Sequence, residues 1–240
     1  MTRFEVTYLA VEPFLSPLYR QLRRRLARII AGRRRLEILD IGGRKSHYTI
    51  GIAGAVTITD LPRQTDVQRR LHLGVTADMV AATRARRSNI RDIRLDDMTR
   101  SSLPDGAFDC AVAVEVLEHV DEDARFVSEV HRVLKPGGAF LMTTPNGDAV
   151  ANTNPDHRRH YSREQLHGLL AARFDRVEVD YAIRGGVSRR LGLTSWSARH
   201  PLRTAVAMAA NAVNVVQSAP GRVRHDARGT RHLMAVAWKR

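Results

Sequence analysis

Cysteine is almost missing from this sequence. The 240 residues hold one, Cys110, so no disulfide can form within the chain. That excludes a disulfide-stapled secreted scaffold and fits a reducing compartment. Lysine is nearly as scarce: Lys45, Lys135 and Lys239 are the only three, although lysine and arginine together number 39. No run of about 18 apolar residues occurs, so no helix is expected to span a membrane. Met1 to Phe14 shows no basic stretch followed by an apolar core, so no signal peptide is expected. The expected location is therefore cytoplasmic, with attachment to a membrane surface left open.

What is present is ordinary in amount and unusual in charge. A 43% hydrophobic and 27% charged composition suits a chain of this length folding around its own core. The net charge is +14, which invites a polyanionic partner, either nucleic acid or an anionic membrane. Arginine in place of lysine is equally expected from a GC-rich genome, without a functional cause.

From residue 36 onward, strand and helix signals alternate, which predicts a mostly parallel sheet with helices on both faces. Before that, Pro17 to Ile30 carries an apolar stripe of Leu18, Leu22, Leu26, Ile29 and Ile30, and Gly32 ends it. Strands are expected at Leu36–Ile41, Val56–Thr59, Ile93–Leu95, Asp109–Val114 and Ala139–Thr143. Helices are expected at Thr76–Arg87, at Asp123–Leu134, where Lys135-Pro-Gly-Gly138 stops the chain, and from a capping box at Ser162 and Gln165 to about Ala172. Arg176–Tyr181 and Leu233–Trp238 read as the last two strands. The gap between them is too long for a hairpin. It holds Pro201–Gln217, whose Leu202, Val206, Ala209, Val213 and Val216 share one helical face with Ala205 and Ala212.

Three strand ends carry acids. Ile38-Leu-Asp40-Ile-Gly42-Gly43 closes a buried strand with a carboxylate and follows it with glycines, which let a ligand approach the backbone closely. Asp60 ends the next strand twenty residues later, the spacing at which an acid can accept from ribose hydroxyls. Asp97 follows the third strand, where a carboxylate can accept an adenine amino group, and Asp96 competes for that role. The plain alternative at each place is a turn or a solvated acid.

Four further blocks follow in order: Leu103-Pro-Asp-Gly-Ala-Phe-Asp109, Val114-Glu-Val-Leu-Glu-His-Val120, Arg132-Val-Leu-Lys-Pro-Gly-Gly138 and Thr143-Thr-Pro-Asn146. Together with the first loop they resemble the class I methyltransferase family, near its ubiquinone-biosynthesis type, over roughly residues 36 to 182. The resemblance implies a Rossmann-like, doubly wound seven-stranded sheet, mostly parallel with a reversed last strand, and S-adenosylmethionine as methyl donor. Carried over by position, Asp40, Gly42 and Gly43 would line the methionine end of the cofactor. Asp60 would hold the ribose, Asp97 and the backbone of Met98 the adenine, and Glu115 would lie near the sulfonium. The chain departs from the family loop at Arg44 and Ser46, which replace its later glycines. Arg44 is expected either to narrow the loop or to reach the cofactor carboxylate.

Transfer to a hydroxyl needs a base, and histidine is the common one. His119 is favoured, ahead of His157 and His160 in the loop after the fifth strand, with helix packing as the alternative role for His119. Glu115, Glu118 and His119 would share a helix face and suit a divalent cation, but three residues alone make an incomplete site, so no metal ligand is assigned. Arg158, Arg159 and Arg163 form either a contact for an acidic acceptor or, more simply, a solvated basic face.

The expected organisation is one methyltransferase domain. It comprises an N-terminal helical segment (1–35), a cofactor-binding core (36–182) and an insertion (185–231) that holds Trp196 and sets acceptor specificity. The amphipathic helix of that insertion is read first as core packing, with a lid, a dimer contact or a peripheral membrane element as alternatives. The expected activity is methylation, at oxygen, of a small-molecule, sugar or lipid-linked acceptor. An RNA methyltransferase fits the charge but lacks an RNA-binding motif. A catalytically silent, partner-binding relative is the third reading. Neither the acceptor nor the oligomeric state is legible.

Overall fold

The computed structural model describes residues 1–43, 47–61, 74–185 and 200–240. Arg44, Ser46 and Trp196 lie outside the described residues.

The chain opens with a helix that apolar periodicity does not reveal. Helix α1 (Arg3–Val11) starts at a capping box, in which Glu5 N–H donates to Thr2 Oγ1 at 3.2 Å and Thr2 N–H to Glu5 Oε2 at 2.7 Å. Glu5 also accepts from Ser88 N–H at 2.9 Å and Ser88 Oγ at 2.8 Å. A buried carboxylate, rather than an apolar stripe, anchors this helix. Helix α2 (Pro17–Ile29) behaves as expected, with Leu18, Leu22 and Leu26 buried one turn apart.

The strands are β1 (Glu37–Ile41), β2 (Ala55–Asp60), β3 (Ile90–Leu95), β4 (Phe108–Val114), β5 (Leu134–Pro145), β6 (Arg176–Arg184) and β7 (Thr230–Trp238). They form one sheet in the order β3-β2-β1-β4-β5-β7-β6. β1 to β5 pair in parallel, and β7 runs antiparallel to both β5 and β6. This is the doubly wound sheet with a reversed last strand that the sequence implied.

Helix α3 (Ala77–Arg86) is capped by Thr76. Helices α4 (Asp123–Val133) and α5 (Arg163–Ala171) bury Phe126, Val130, Leu166 and Leu170 in a cluster with Leu39, Phe140 and Leu233 on one sheet face. Helix α2 covers the other face, against Ile38, Val56, Val112 and Val236. Ser162 and Gln165 form the expected capping box at α5.

Two expectations need correction. Lys135-Pro-Gly-Gly138 ends α4 but does not separate it from a strand beginning at Ala139: β5 already begins at Leu134. Lys135 Nζ donates to Asp109 Oδ2 at 2.8 Å, and Gly137 N–H donates to Lys239 O at 2.9 Å. Partners distant in sequence hold those four residues in the sheet, with a register shift opposite Phe108 and Cys110.

The second correction concerns helix α6 (Pro201–Gln217). Its stripe was read first as core packing. Instead Leu202 is 83% exposed, Val206 53%, Val213 56% and Val216 58%. The side facing the protein carries Ala207 and Asn214. Among the described residues, no helix is long and apolar enough to cross a membrane.

Candidate active site

Strand order reverses between β1 and β4, and a crevice of about 340 Å³ opens at the carboxyl ends there. That is where open α/β sheets bind ligands, and the volume suits a small organic molecule. Gly42, Asp60, Asp97, Met98, Glu115 and His119 all line it, so six of the ten predicted site residues converge. Tyr19, from α2, and Thr59 line it as well.

The loop after β1 requires its glycines. Gly42 has φ +68°, and its N–H donates to Thr59 O at 2.7 Å. A Cβ at Gly42 would sit 2.8 Å from Val116 Cγ2, and one at Gly43 would sit 2.4 Å from Asp40 Cγ. Asp40 is fully buried and accepts from Tyr48 OH at 2.6 Å and Thr49 Oγ1 at 3.3 Å. Arg87 Nη2 donates to the same Thr49 hydroxyl at 2.6 Å. Asp40 and Gly43 therefore stand behind the crevice and hold its loop, while Gly42 lines it.

Beyond β2 and β3 the acids divide their work. Asp60 Oδ1 accepts from Leu61 N–H at 2.8 Å at the crevice edge. Asp97 Oδ1 accepts from Thr99 N–H and Oγ1 at 3.0 and 2.8 Å, and Oδ2 pairs with Arg100 at 3.2 Å. Burial alone would raise the Asp97 carboxyl, but the Thr99 and Arg100 contacts outweigh it and hold the group below the usual range. Asp96 gives Oδ2 to Ser102 N–H and Oγ, and its Oδ1 is buried without a partner, as is Thr59 Oγ1. Both orphaned oxygens belong to crevice residues. Asp96, the alternative in the sequence, thus offers a free acceptor where Asp97 spends both oxygens locally.

The other end is a cluster of titrating groups. Glu115 has φ +54°, the left-handed region, and this turns it off the end of β4. Its Oε1 accepts from Thr143 Oγ1 at 3.0 Å and from His232 Nδ1 at 3.2 Å. Burial pushes Glu115 upward, but the His232 charge and these hydrogen bonds hold its carboxyl below the ordinary range. Glu118 is fully buried on a 3₁₀ turn (Leu117–His119) and accepts from Thr144 Oγ1 at 3.2 Å. Its Oε1 has no partner. Burial, then the Glu115 charge, raises the Glu118 carboxyl well above the usual range.

The expected helical face of Glu115, Glu118 and His119 is not formed, because Glu115 leaves it for His232. Glu118, His119 and His157 are instead the three whose ligand atoms lie within 4.8 Å of one another.

The histidines are ordered by carbonyls. His119 Nδ1 lies 3.0 Å from Asp156 O, and a carbonyl only accepts, so Nδ1 carries the hydrogen and Nε2 a lone pair. His160 Nδ1 likewise donates to Val150 O at 2.9 Å. His160 Nε2 then accepts from His157 Nδ1 at 2.7 Å, which leaves the His157 Nε2 lone pair free. Burial, then the neighbouring His119 and His160, lowers the His157 pKa. The His119 and His157 rings meet edge-on at 4.8 Å. Of the three, His119 lines the crevice, and His157 and His160 stand behind it.

Residues the sequence did not single out are Tyr19, Thr59 and His232. His232 reaches Glu115 because β7 pairs with β5, placing it opposite Pro145. No local pattern signals that. The arginine cluster is committed elsewhere: Arg158 pairs with Asp121 at 3.1 Å, Arg159 with Asp123 at 2.7 Å, and Arg163 Nε donates to Val179 O at 2.8 Å. Cys110 is buried in β4, and burial pushes its thiol up to about 12, so it is inert.

A methyltransferase-domain family model matches residues 49–142. A probable S-adenosylmethionine-dependent methyltransferase of Mycolicibacterium smegmatis is 34% identical over 197 residues, covering 80% of this chain and 69% of the relative. A ubiquinone biosynthesis O-methyltransferase of Xanthomonas oryzae pv. oryzae is 28% identical over 122 residues, covering 51% of this chain and 47% of the relative. The chain spans under half the length of several other curated relatives. Haemonchus contortus phosphoethanolamine N-methyltransferase 2, solved with S-adenosyl-L-methionine, shares the fold at TM-score 0.58 and 16% identity, over 92% of this chain and 52% of that one. The strand order, the glycine loop with its crevice and the relative matched over 80% of this chain agree, and the chain belongs to the S-adenosylmethionine-dependent methyltransferases.

Proposed function

We propose that this enzyme methylates an oxygen of a small-molecule, sugar or lipid-linked acceptor, with His119 as general base. The observation that carries the proposal is the His119 tautomer: Nδ1–H is held by Asp156 O, and Nε2 offers its lone pair at a crevice residue.

Chain residues fit the donor. Asp60, Asp96 and Thr59 line the β2 and β3 ends, where a nucleoside offers hydroxyl and amino hydrogens, and Asp96 Oδ1 and Thr59 Oγ1 are buried there without partners. Met98 contributes its backbone there, and Gly42 permits close approach at the β1 end. S-adenosylmethionine, when bound, supplies the methyl group and a thioether leaving group. His119 Nε2 would take the proton of the acceptor hydroxyl as that oxygen receives the methyl group. His157 and His160 keep that side ordered, since each spends its Nδ1–H on a fixed partner. Glu115 supplies negative charge that favours the sulfonium. The ubiquinone-type relative supports oxygen as the atom, and the mixed apolar and polar lining supports a partly apolar acceptor.

The test is a radiolabelled methyl-transfer assay over hydroxylated aromatic, sugar and prenylated acceptors. His119→Ala should slow transfer by about 10² to 10⁴-fold while calorimetric binding of S-adenosylmethionine persists. Full transfer by that variant would end the base assignment.

A further inference from the structure

We infer that the outward face of α6 is a docking surface for an anionic lipid bilayer. This goes beyond methyl transfer and does not depend on which acceptor is used.

The helix is built inside out. Leu202, Val206, Val213 and Val216 point to solvent, each more than half exposed. Its polar residues tie it to the protein instead. Asn211 Nδ2 donates to Phe14 O at 3.2 Å. Asn214 is buried, and its Oδ1 accepts from Ser218 Oγ at 2.6 Å. Ser218 Oγ accepts in turn from Arg184 N–H at 3.0 Å, and Gln21 Nε2 donates to Ser218 O. A helix held by its polar side presents its apolar stripe as a surface, which is the geometry of an interfacial helix.

Charge selects the occupant. α6 packs beside α2, whose Arg24 and Arg28 are exposed, and Arg222 follows α6 and is exposed too. None of the three has an ion-pair partner among the described residues. The acids nearby are already paired: Glu178 with Arg25, Asp180 with Arg224, and Asp226 with Arg184. A second copy would bring the same arginines and a net charge of +14 against this face. RNA would engage the arginines but leave the aliphatic stripe uncovered, for it offers bases that stack on aromatic rings. An anionic bilayer satisfies both features, with headgroups at the arginines and acyl chains under the stripe. β6 runs parallel to β5, so Arg184 and the C-terminal end of α6 lie at the crevice edge of the sheet. A bilayer on α6 therefore lies alongside the active-site mouth.

The experiment is flotation of the purified full chain with vesicles of phosphatidylcholine alone, or mixed equally with phosphatidylglycerol. Wild type should float with the mixed vesicles at low salt and stay down with phosphatidylcholine. Val206→Asp and Val213→Asp should each weaken partitioning about tenfold, the cost of losing one buried valine. Both should keep the wild-type melting temperature and S-adenosylmethionine affinity, since the two side chains are exposed. Arg24→Ala with Arg28→Ala should weaken the salt-sensitive part. Failure of the wild type to float with anionic vesicles would overturn the inference. So would flotation that the two aspartates leave intact, or a dimer in light scattering that they disperse without any vesicle binding.

Discussion

The two ends of the crevice are built from different materials. At the β2 and β3 ends, carboxylates meet nearby backbone and hydroxyl groups: Asp60 with Leu61, Asp97 with Thr99, Asp96 with Ser102. Each contact closes within six residues. At the β4 and β5 ends, the groups come from far apart: Glu115 meets His232, Glu118 meets Thr144, and His119 meets Asp156. In the proposed function, the first end recognises the donor and the second takes the acceptor proton. That division is what the proposed transfer to a hydroxyl needs.

Breaking the proton-handling end should cost most. His119→Ala is expected to lower kcat by about 10² to 10⁴-fold, the usual share of a general base, with little change in cofactor affinity. Single-turnover transfer beside calorimetry checks this, and a parallel fall in affinity would show that the two ends are not separable. Next come the fixed acids. Asp60→Ala should weaken S-adenosylmethionine binding about 10- to 100-fold, the range for losing a hydrogen bond to a charged group in a buried site. Asp96→Ala and Asp97→Ala sharpen the point. Because Asp97 is occupied by Thr99 and Arg100, its loss should lower the melting temperature more than the affinity, and Asp96 should show the reverse order.

A smaller effect tests the raised Glu118 acid. Below its ordinary value of 4.5, the carboxyl is neutral in both folded and unfolded chains. As pH rises past that point, the unfolded chain gains a solvated carboxylate that the folded protein cannot match. Stability therefore falls with rising pH until the buried group itself ionises. Glu118→Gln should remove this slope and melt higher than wild type at pH 8 but not at pH 4.5. The gain should be about 2–4 °C for each kcal/mol relieved. Smallest of all should be the effect of chelation. With His119 as base, EDTA leaves the rate unchanged. A loss restored by added Mg²⁺ or Zn²⁺ would instead give Glu118, His119 and His157 a ligand role.

The same contrast explains what was legible. Strand-end acids and glycines are local signals, so Gly42, Asp60 and Met98 could be named before any coordinates. The Asp40 role could not, because its partners Tyr48 and Thr49 belong to the loop it supports, and a buried acid reads the same as a lining one. α1 escaped notice because a carboxylate, Glu5, fastens it to Ser88. The stripe on α6 was read correctly as a stripe and assigned the wrong side, since periodicity says which residues share a face but not which way the face turns.

By itself, then, the sequence determined the alternating α/β class, the glycine loop, the acidic strand ends and the methyltransferase resemblance, because each is written within a few neighbouring residues. Only the tertiary structure decided that Glu115 pairs with His232, that the buried Glu118 carboxyl is raised well above its ordinary range, that His119 stands at the crevice with its Nε2 free, and that α6 faces outward. Those outcomes depend on strand order and on burial, and both arise only when segments more than a hundred residues apart, such as β4 and β7, enter one sheet.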